Sequence, residues 1–554
     1  MGCSRRAPSP LSTALHGRLA YAPSTKCCTV QRKPNSFAFV DVGVYVFGFC
    51  EIKAHIVILL LKKQVHVTPR IRHLSLLECT AAFLVCFCLM LWVQFAGPAI
   101  VGNDAYYHIR WSRMLWTSAP RLPAFTWLPL TILRAPAFVD QHFLFHVLLM
   151  PFTLGDLRLG AKLAAPLFSA FALACVFLLL VMYRIRHRWL WLLALAVGSE
   201  PFLYRMSMTR APSLSLALLA LGAYLILEHR FVPLVVLTFI FVWLYNLFPL
   251  ILIFAAAHTL TVWLSQRRLD FTAIYATAAG ATLGLIINPY FPKDLVLIFN
   301  HVHMLLAEKT AIDVGGEWYP YDTWEMLTGN VVVCALFFAA LLVLDLRKRL
   351  QDHKPLFFLI LATIFLLMSL RWGRFIEYWP PFAVLSTAFT FDSEGPLLPE
   401  GIRLQFGKAA LVTVLGVIGI LNIRGARVEI RHIRDPFAMR GASTWLAAHT
   451  PAGSMVFNTD WVAFPELFYY NEHNVYVAGL DPRYLLDAQP ELWKLYDNIT
   501  EGTEKHPGPI IRERFGTEYV VARNDSSDFL NEAKDSGDFE TAYKDKYASV
   551  LRVK

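Results

Sequence analysis

The sequence predicts a polytopic α-helical membrane protein, with about 11 to 13 crossing helices and a small C-terminal α/β domain on the outer side. Three observations predict it. Hydrophobic residues make up 56% of the 554 and charged residues only 17%, with a mean hydropathy of +0.47. A soluble chain needs more polar surface than that. Apolar runs of near-spanning length recur from Leu76 to Leu421. From about Arg424 the composition turns polar and the apolar runs become short.

Three regions follow. Residues 1–75 read as a poorly ordered leader, 76–423 as a transmembrane domain and 424–554 as an outer-face α/β domain. The leader opens "MGCSRR", similar to a myristoylation start except that Arg6 stands where Ser or Thr is wanted. Its apolar stretch Ala54–Leu61 is too short to span.

Spans are expected near Leu76–Gly97, Gly160–Tyr183, Trp189–Gly198, Pro212–Leu227, Phe231–Asn246 and Pro249–Leu264. Others fall near Phe271–Asn288, Gly329–Leu346, Pro355–Leu370, Phe375–Phe391 and Ala409–Leu421. Charge orients them. Basic residues precede the first span, so its N-terminus is cytoplasmic. Parity then puts Arg184–Arg188, Glu228–Arg230, Gln266–Arg268 and Arg347–Arg349 inside and the C-terminal domain outside. The net charge of +10 is thereby a membrane-topology signal and not a nucleic-acid one. Phe143–Leu154 is apolar, but at 1.5 Å per residue it covers only about 18 Å of a core about 30 Å thick. It reads as re-entrant or interfacial. His258 and Thr259 lie inside a span and are expected to bond to neighbours.

Polar residues gather in the outer connections. "GNDAYYHIRW" (Gly102–Trp111) carries Asp104, His108 and Arg110, with Arg113 beyond; "DQHFLFH" brings Asp140, His142 and His146. On a helix, Asp104, Tyr107, His108 and Trp111 share one face. Arg110 and Arg113 lie beside it, where phosphate could meet them. A helix N-cap with an aromatic interfacial belt accounts for the same pattern. The next outer turn holds Glu200, Arg205 and Arg210. "GGEWYPYD" holds Glu317 after two glycines, which suits a mobile loop or a surface turn. "LRWGRFIEYW" holds Arg371, Arg374 and Glu377 on the side where basic residues are disfavoured, so an anionic partner is expected.

In the polar region "SMVFNT", "VYVAG", "EYVVA" and "ASVLRV" read as strands, "GASTWLAAH" and "PELWKLYDNI" as helices. Tyr469–Leu485, with "LDP" as a turn, reads either as a core strand and turn or as a wall of an acceptor cleft. The nine cysteines are scattered, none after Cys334. They suggest neither a disulfide framework there nor a zinc site.

"DAYYH" in the first outer loop, Glu200 in a later one, Glu317 in a long loop and Arg374 near a late span follow one order. That order resembles the GT-C glycosyltransferases, most closely oligosaccharyltransferase catalytic subunits and their uncharacterised bacterial relatives. "GASTWLAAHTPAGSMVFNTDWVAFP" resembles the lead-in to their acceptor-reading motif, but Asp460 followed by Trp461 stands where the motif has two tryptophans before its acid. The resemblance runs from about Leu76 to the end. It implies a GT-C-like transmembrane domain and an integral, multi-pass membrane location, in the inner membrane if the source is bacterial. Three departures stand out: Asn103–Asp104 replaces a paired acid, Glu200 lacks a neighbouring acid, and the acceptor motif lacks its two tryptophans before the acid.

The reading reached is an inverting glycosyltransferase. It moves a sugar or glycan from a polyprenyl-phosphate or polyprenyl-diphosphate donor to an acceptor glycan, lipid or protein at the extracytoplasmic face. Asp104 is the base, with His108 to orient it or a substrate hydroxyl. Glu317 orders a substrate loop. Arg374, with Arg371 and Arg205, holds the phosphate. Glu200, Asp140, His142, Asp460 and Trp461 are further cleft candidates. No cofactor is fixed; a divalent metal, Mg or Mn, stays open. The alternatives are a transporter or flippase for an anionic lipid or sugar, or a non-catalytic GT-C relative. A transporter wants ionisable groups in mid-span, and here they cluster at span ends.

Overall fold

The computed structural model describes residues 69–306, 315–344, 352–394 and 402–554. Residues 1–68 of the expected leader and the basic loop Arg347–Arg349 lie outside the described residues. The chain begins with α1 (Pro69–Gln94), α2 (Asp104–Ser118) and a short α3 (Phe143–Leu149), which a 3-10 turn extends to Thr153. There follow α4 (Leu157–Met182), α5 (Arg188–Val197), the short α6 (Glu200–Met206), α7 (Pro212–Leu227), α8 (Phe231–Leu244), α9 (Leu250–Gln266) and α10 (Thr272–Ile286). The helical region continues through α11 (Lys293–Leu306), α12 (Thr323–Thr328), α13 (Val331–Val343), α14 (His353–Arg371), α15 (Trp379–Glu394) and α16 (Ile402–His432).

Every expected span is thus a helix. Four helices are long and apolar enough to cross a membrane: Ser75–Gln94, Leu157–Met182, His353–Arg371 and Ala409–His432. The others are shorter. Two boundaries differ from expectation. The first helix starts at Pro69, inside the expected leader, and α16 runs through Arg424 to His432. Its last turns stay helical although they are polar and include Gly425, where Glu200 packs, so composition changes before the helix does.

Local chemistry sets the helix ends. Asp156 caps α4 by accepting from the Leu159 N–H at 2.7 Å, and Asp322 caps α12 through the Trp324 N–H at 2.8 Å. Lys162 on α4 is buried and donates to the carbonyls of Gln94, Gly97 and Ala99 at 2.8–2.9 Å. It neutralises the C-terminal end of α1 and fixes the chain that leads to Asp104. Thr259 bonds to the Ala255 and Asp270 carbonyls as expected. His258 does not bond: both ring nitrogens are buried without a hydrogen-bond partner among the described residues.

Polar contacts divide between the two ends of the bundle. Arg186 pairs with Asp392 at 3.1 Å and Arg188 with Glu78 at 2.6 Å, which gathers the expected inner loops. Asp104, Arg205, Arg210, Glu317 and Arg374 meet at the other end. The segment Phe143–Thr153 belongs to that second end. His146 bonds to His108 on α2, and Arg113 on α2 donates to the Thr153 carbonyl at 2.8 Å. Two points of the segment, His146 and Thr153, therefore rest on one helix, α2.

The C-terminal region holds α17 (Arg440–His449), β1 (Met455–Asn458), α18 (Phe464–Tyr470), β2 (Val475–Tyr476), α19 (Arg483–Ala488), α20 (Pro490–Thr500) and α21 (Pro507–Phe515). It ends with β3 (Tyr519–Arg523), α22 (Ser527–Ser536), β4 (Phe539–Lys544) and β5 (Ala548–Val553). The sheet order is β2-β1-β3-β5-β4. β1 is parallel to β2 and β3; β5 is antiparallel to β3 and β4. β4 was not expected, because "FETAYK" is a mostly solvent-facing edge strand without apolar alternation.

Side chains alternate across this sheet. Phe457, Val520 and Leu551 face a core with Trp493, Tyr496, Phe515 and Phe529. Their neighbours Val456, Val521 and Val550 face the opposite way, into a core shared with Tyr107, Trp111 and Leu115 of α2 and with Phe125, Leu128 and Phe138 of the loop after it. The helix that begins at Asp104 is therefore packed into the C-terminal domain as one of its own core elements.

Candidate active site

Asp104 is the first residue of α2, but it does not cap the helix. Asn103 occupies the cap position without a side-chain cap bond; its amide donates instead to the Val462 carbonyl at 2.6 Å. The turn before it needs Gly102, whose φ is +86° and whose absent side chain leaves room for Met208, 3.1 Å from where a Cβ would stand. Met208 and Arg210 share one turn, the Arg210 N–H donating to the Met208 carbonyl at 2.9 Å. Interlocking the two turns brings Arg210 to 3.3 Å from Asp104 Oδ2.

Glu317 enters on a 3-10 turn, Gly316–Trp318, preceded by Gly315 at φ +81°. The Gly373 N–H donates to the Tyr319 carbonyl at 2.9 Å, which clips this turn to the one that carries Arg374. Glu317 Oε2 accepts from Arg210 at 2.7 Å and from Arg205 at 3.0 Å; Oε1 accepts from Arg210 at 3.2 Å, with Arg374 at 3.7 Å. Arg205 also donates to buried Glu377 at 2.7 Å. Arg374 donates to the Tyr245 hydroxyl at 3.0 Å and lies 4.5 Å over the Trp318 ring.

The fields follow from this packing. Burial pushes the Glu317 carboxyl up, but Arg210, Arg374 and Arg205 together outweigh it and hold the group well below the usual carboxylate range. Asp104 is shifted the other way. Burial raises its carboxyl by more than Arg210 lowers it, and Glu317 adds to the rise. One locked anion and one more basic carboxylate thus share a guanidinium.

A second network lies behind α2. Asp140 accepts from His146 Nδ1 at 2.8 Å and from the Trp111 indole at 2.9 Å; His146 Nε2 meets His108 Nδ1 at 2.8 Å. If the carboxylate takes the Nδ1 proton of His146, His146 Nε2 must accept from His108. The partners thereby assign the tautomers, and the lone pair of His108 falls on Nε2. Burial, then the fields of His146, His142 and Arg210, push His108 well below its ordinary range. Burial pushes the Asp140 carboxyl up, but His146, the Trp111 indole and His142 together more than offset it, so the net shift is down. His142 stacks on Tyr245, with centroids 5.4 Å apart, and burial, followed by the field of His146, pushes it down to about 3. Tyr245 links this network to Arg374.

Of the expected residues, Asp104, Glu317, Arg205 and Arg374 converge. His108 does not orient Asp104 as expected; its polar contact is with His146, behind the helix. Arg371 is exposed and stacks on Trp372 at 5.4 Å, outside the cluster. Arg110 pairs with Glu472 at 3.0 Å, and Arg113 holds the Thr153 carbonyl; neither joins the phosphate-type cluster. Glu200 lies against Gly425 of α16, in the fields of Glu429 and Glu325. Asp460 accepts from the Val462 N–H and pairs with Arg523 at 3.0 Å, stapling its own loop. Trp461 stands 3.6 Å from where a Cβ on Gly315 would be, so this loop touches the turn before Glu317.

Residues the sequence reading did not assign complete the picture. Arg210, Glu377 and Tyr245 are central, and a basic or acidic group at the end of an apolar run was the available signal. Tyr469–Leu485 holds the short strand β2 and the turn that leads into α19. Tyr476 is core, whereas Tyr484 accepts from Gln141 at 3.1 Å, and Gln141 in turn accepts from Asn246 at 2.9 Å. Burial carries the Asp481 carboxyl up to about 6, with the charge of Asp104 among its neighbours. Among the described residues, no group of three or more His, Cys, Asp and Glu side chains is placed to share a metal ion.

No protein-family model matches the chain, and no curated protein matches it in sequence. Solved structures do match. The archaeal oligosaccharyltransferase AglB from Archaeoglobus fulgidus, in complex with an inhibitory peptide and a dolichol-phosphate, superposes with a TM-score of 0.57 at 12% identity. The match covers 80% of this chain and 69% of that one. ArnT from Cupriavidus metallidurans, bound to undecaprenyl phosphate, gives 0.54 at 13% identity over 85% of this chain and 97% of that one.

Proposed function

With the GT-C fold of those glycosyltransferases as premise, we propose that the chain is a membrane glycosyltransferase. It takes a sugar or glycan from a polyprenyl-phosphate or polyprenyl-diphosphate donor and transfers it to an acceptor at the extracytoplasmic face. The observation that carries this reading is the meeting of Asp104 with Arg210, Arg205 and Arg374 around Glu317. A carboxylate of raised basicity beside a bank of guanidiniums is what displacement at an anomeric carbon needs: a proton acceptor on one side and cations for the leaving phosphate on the other.

Asp104 has one oxygen on Arg210 and the other free to take the proton of the acceptor. Arg210 is held by Glu317 and Asp104 and Arg205 by Glu377 and Glu317, which leaves Arg374, bonded to Tyr245 with Glu317 at 3.7 Å, as the guanidinium most open to a phosphate oxygen. Glu317 pins the three guanidiniums in one frame. The lipid-phosphate ligands in the AglB and ArnT structures support a donor of this class. Asp481, which lies in the field of Asp104, and Tyr484, which accepts from Gln141, support an acceptor approaching from the C-terminal domain's side of the site.

The test uses full-length protein in lipid nanodiscs with a labelled polyprenyl-phosphate sugar series. Transfer of label to an acceptor fraction by the native chain, absent in Asp104→Asn, is expected. Transport of the same lipid across a sealed bilayer, with no transfer, would favour the flippase instead.

A further inference from the structure

Arg210 stands between the two site carboxylates, 3.3 Å from Asp104 and bidentate on Glu317 at 2.7 and 3.2 Å. A magnesium or manganese ion bridging them would need several oxygens in near-octahedral order at about 2.0–2.2 Å. Those oxygens are already spoken for. Both oxygens of Glu317 and one of Asp104 face guanidinium nitrogens.

The charges also close without an ion. Asp104, Glu317 and Glu377 are matched by Arg205, Arg210 and Arg374. A dication entering here would find the paired carboxylates already matched, with only Asp481 beyond them, and three fixed cations around it. The donor set does not fit a divalent metal.

We propose that Arg210 takes the place of a bridging divalent cation, which makes the site metal-independent. The proposal rests on the glycosyl-transfer reading above. In that reaction the acceptor oxygen or nitrogen bonds to the anomeric carbon, and the bond from that carbon to the phosphate oxygen breaks. The electron pair stays on the phosphate, and the acceptor proton passes to Asp104. Guanidinium N–H groups already in place meet the charge that develops on the phosphate.

The backbone is built for this residue. Gly102, at φ +86° against Met208, interlocks the Asp104 turn with the Arg210 turn. Pro212 at the start of α7 ends the segment. The Arg210 head is mostly buried, its side chain 15% exposed, so it is held and not a freely moving surface arginine.

Manganese titration of the full-length protein in nanodiscs, followed by electron paramagnetic resonance of the free ion, tests the proposal directly. The native chain is expected to show no stoichiometric site. Arg210→Gln removes the fixed charge and frees the carboxylates, so its manganese affinity should rise by about tenfold or more. Arg210→Lys keeps the charge and should stay close to the native chain. One tight manganese per native chain, lost in Asp104→Asn, would overturn the proposal, and that titration needs no Arg210 variant to fold.

A second arm measures undecaprenyl-phosphate binding with and without chelator. Affinity should change by less than about twofold. Binding abolished by chelator and restored by manganese would also overturn the proposal. Lipid that binds under neither condition would instead count against the glycosyl-transfer reading, while the manganese titration still decides the role of Arg210.

Discussion

Asp104 is the first residue of α2, behind the cap position held by Asn103, and its ion-pair partner is Arg210 and not the helix end. Asp104→Asn is therefore expected to leave the melting temperature within about 2 °C of native and to cut transfer by about 100-fold. Asp104→Ala should likewise escape the cost of about 1 kcal/mol that a lost cap carries. A fully active Asp104→Asn chain, assayed beside its melting curve, would remove the base assignment. Arg374 is a different kind of residue. Its flat head bonds to Tyr245 while it stacks on Trp318, and a lysine has no planar fork with which to keep both and still grip phosphate. Arg374→Lys should weaken lipid-phosphate binding by about tenfold, and equal affinity in a direct binding assay would refute the role.

At the scale of elements, two turns and one short helix do the placing. Gly102→Ala puts a side chain at φ +86° and against Met208. It should cost about 1–2 kcal/mol and loosen the Asp104–Arg210 pair, so activity should fall further than stability does. Equal losses would mean that the turn serves folding alone. Glu200, at the start of α6, is an element-scale probe. Burial, then Glu429 and Glu325, carry its carboxyl from 4.5 to about 7. The folded chain holds that proton more tightly than the unfolded chain. The stability so gained is fully present below pH 4.5 and is lost as pH rises towards 7. Glu200→Gln should flatten melting temperature against pH across that window; an unchanged slope in the variant would place the titration elsewhere. Element identity was legible in the sequence wherever an apolar period was strong. All the expected spans are helices, and the four strands read from "SMVFNT", "VYVAG", "EYVVA" and "ASVLRV" are present. The edge strand Phe539–Lys544 was not legible, because an edge facing water needs no apolar alternation.

For the whole molecule, the partition of polar contacts between the bundle's two ends agrees with the charge rule applied to the loops. Reporter fusions after Arg268 are expected to read cytoplasm and those at Lys554 the outer side. An outer-side signal at Arg268 would invert the assignment and place the site at the cytoplasmic face. The shared core of α2 and the C-terminal sheet makes the two regions a single folding problem.

The sequence by itself determined the apolar helices and the polar α/β ending, and its loop charges set the expectation that Asp104, Glu317 and Arg374 share one membrane side. These depend on composition, period and loop charge, which are local properties of the chain. Only the tertiary structure decided the partners. Asp104 finds Arg210 about a hundred residues away because Gly102 lets two turns interlock. His108 turns to His146 because a seven-residue helix lies behind α2. Arg371 and Arg374, three residues apart, part company because one lies at an exposed helix end and the other on a buried 3-10 turn. Which charges meet is settled by packing between segments distant in sequence, and no local pattern encodes that.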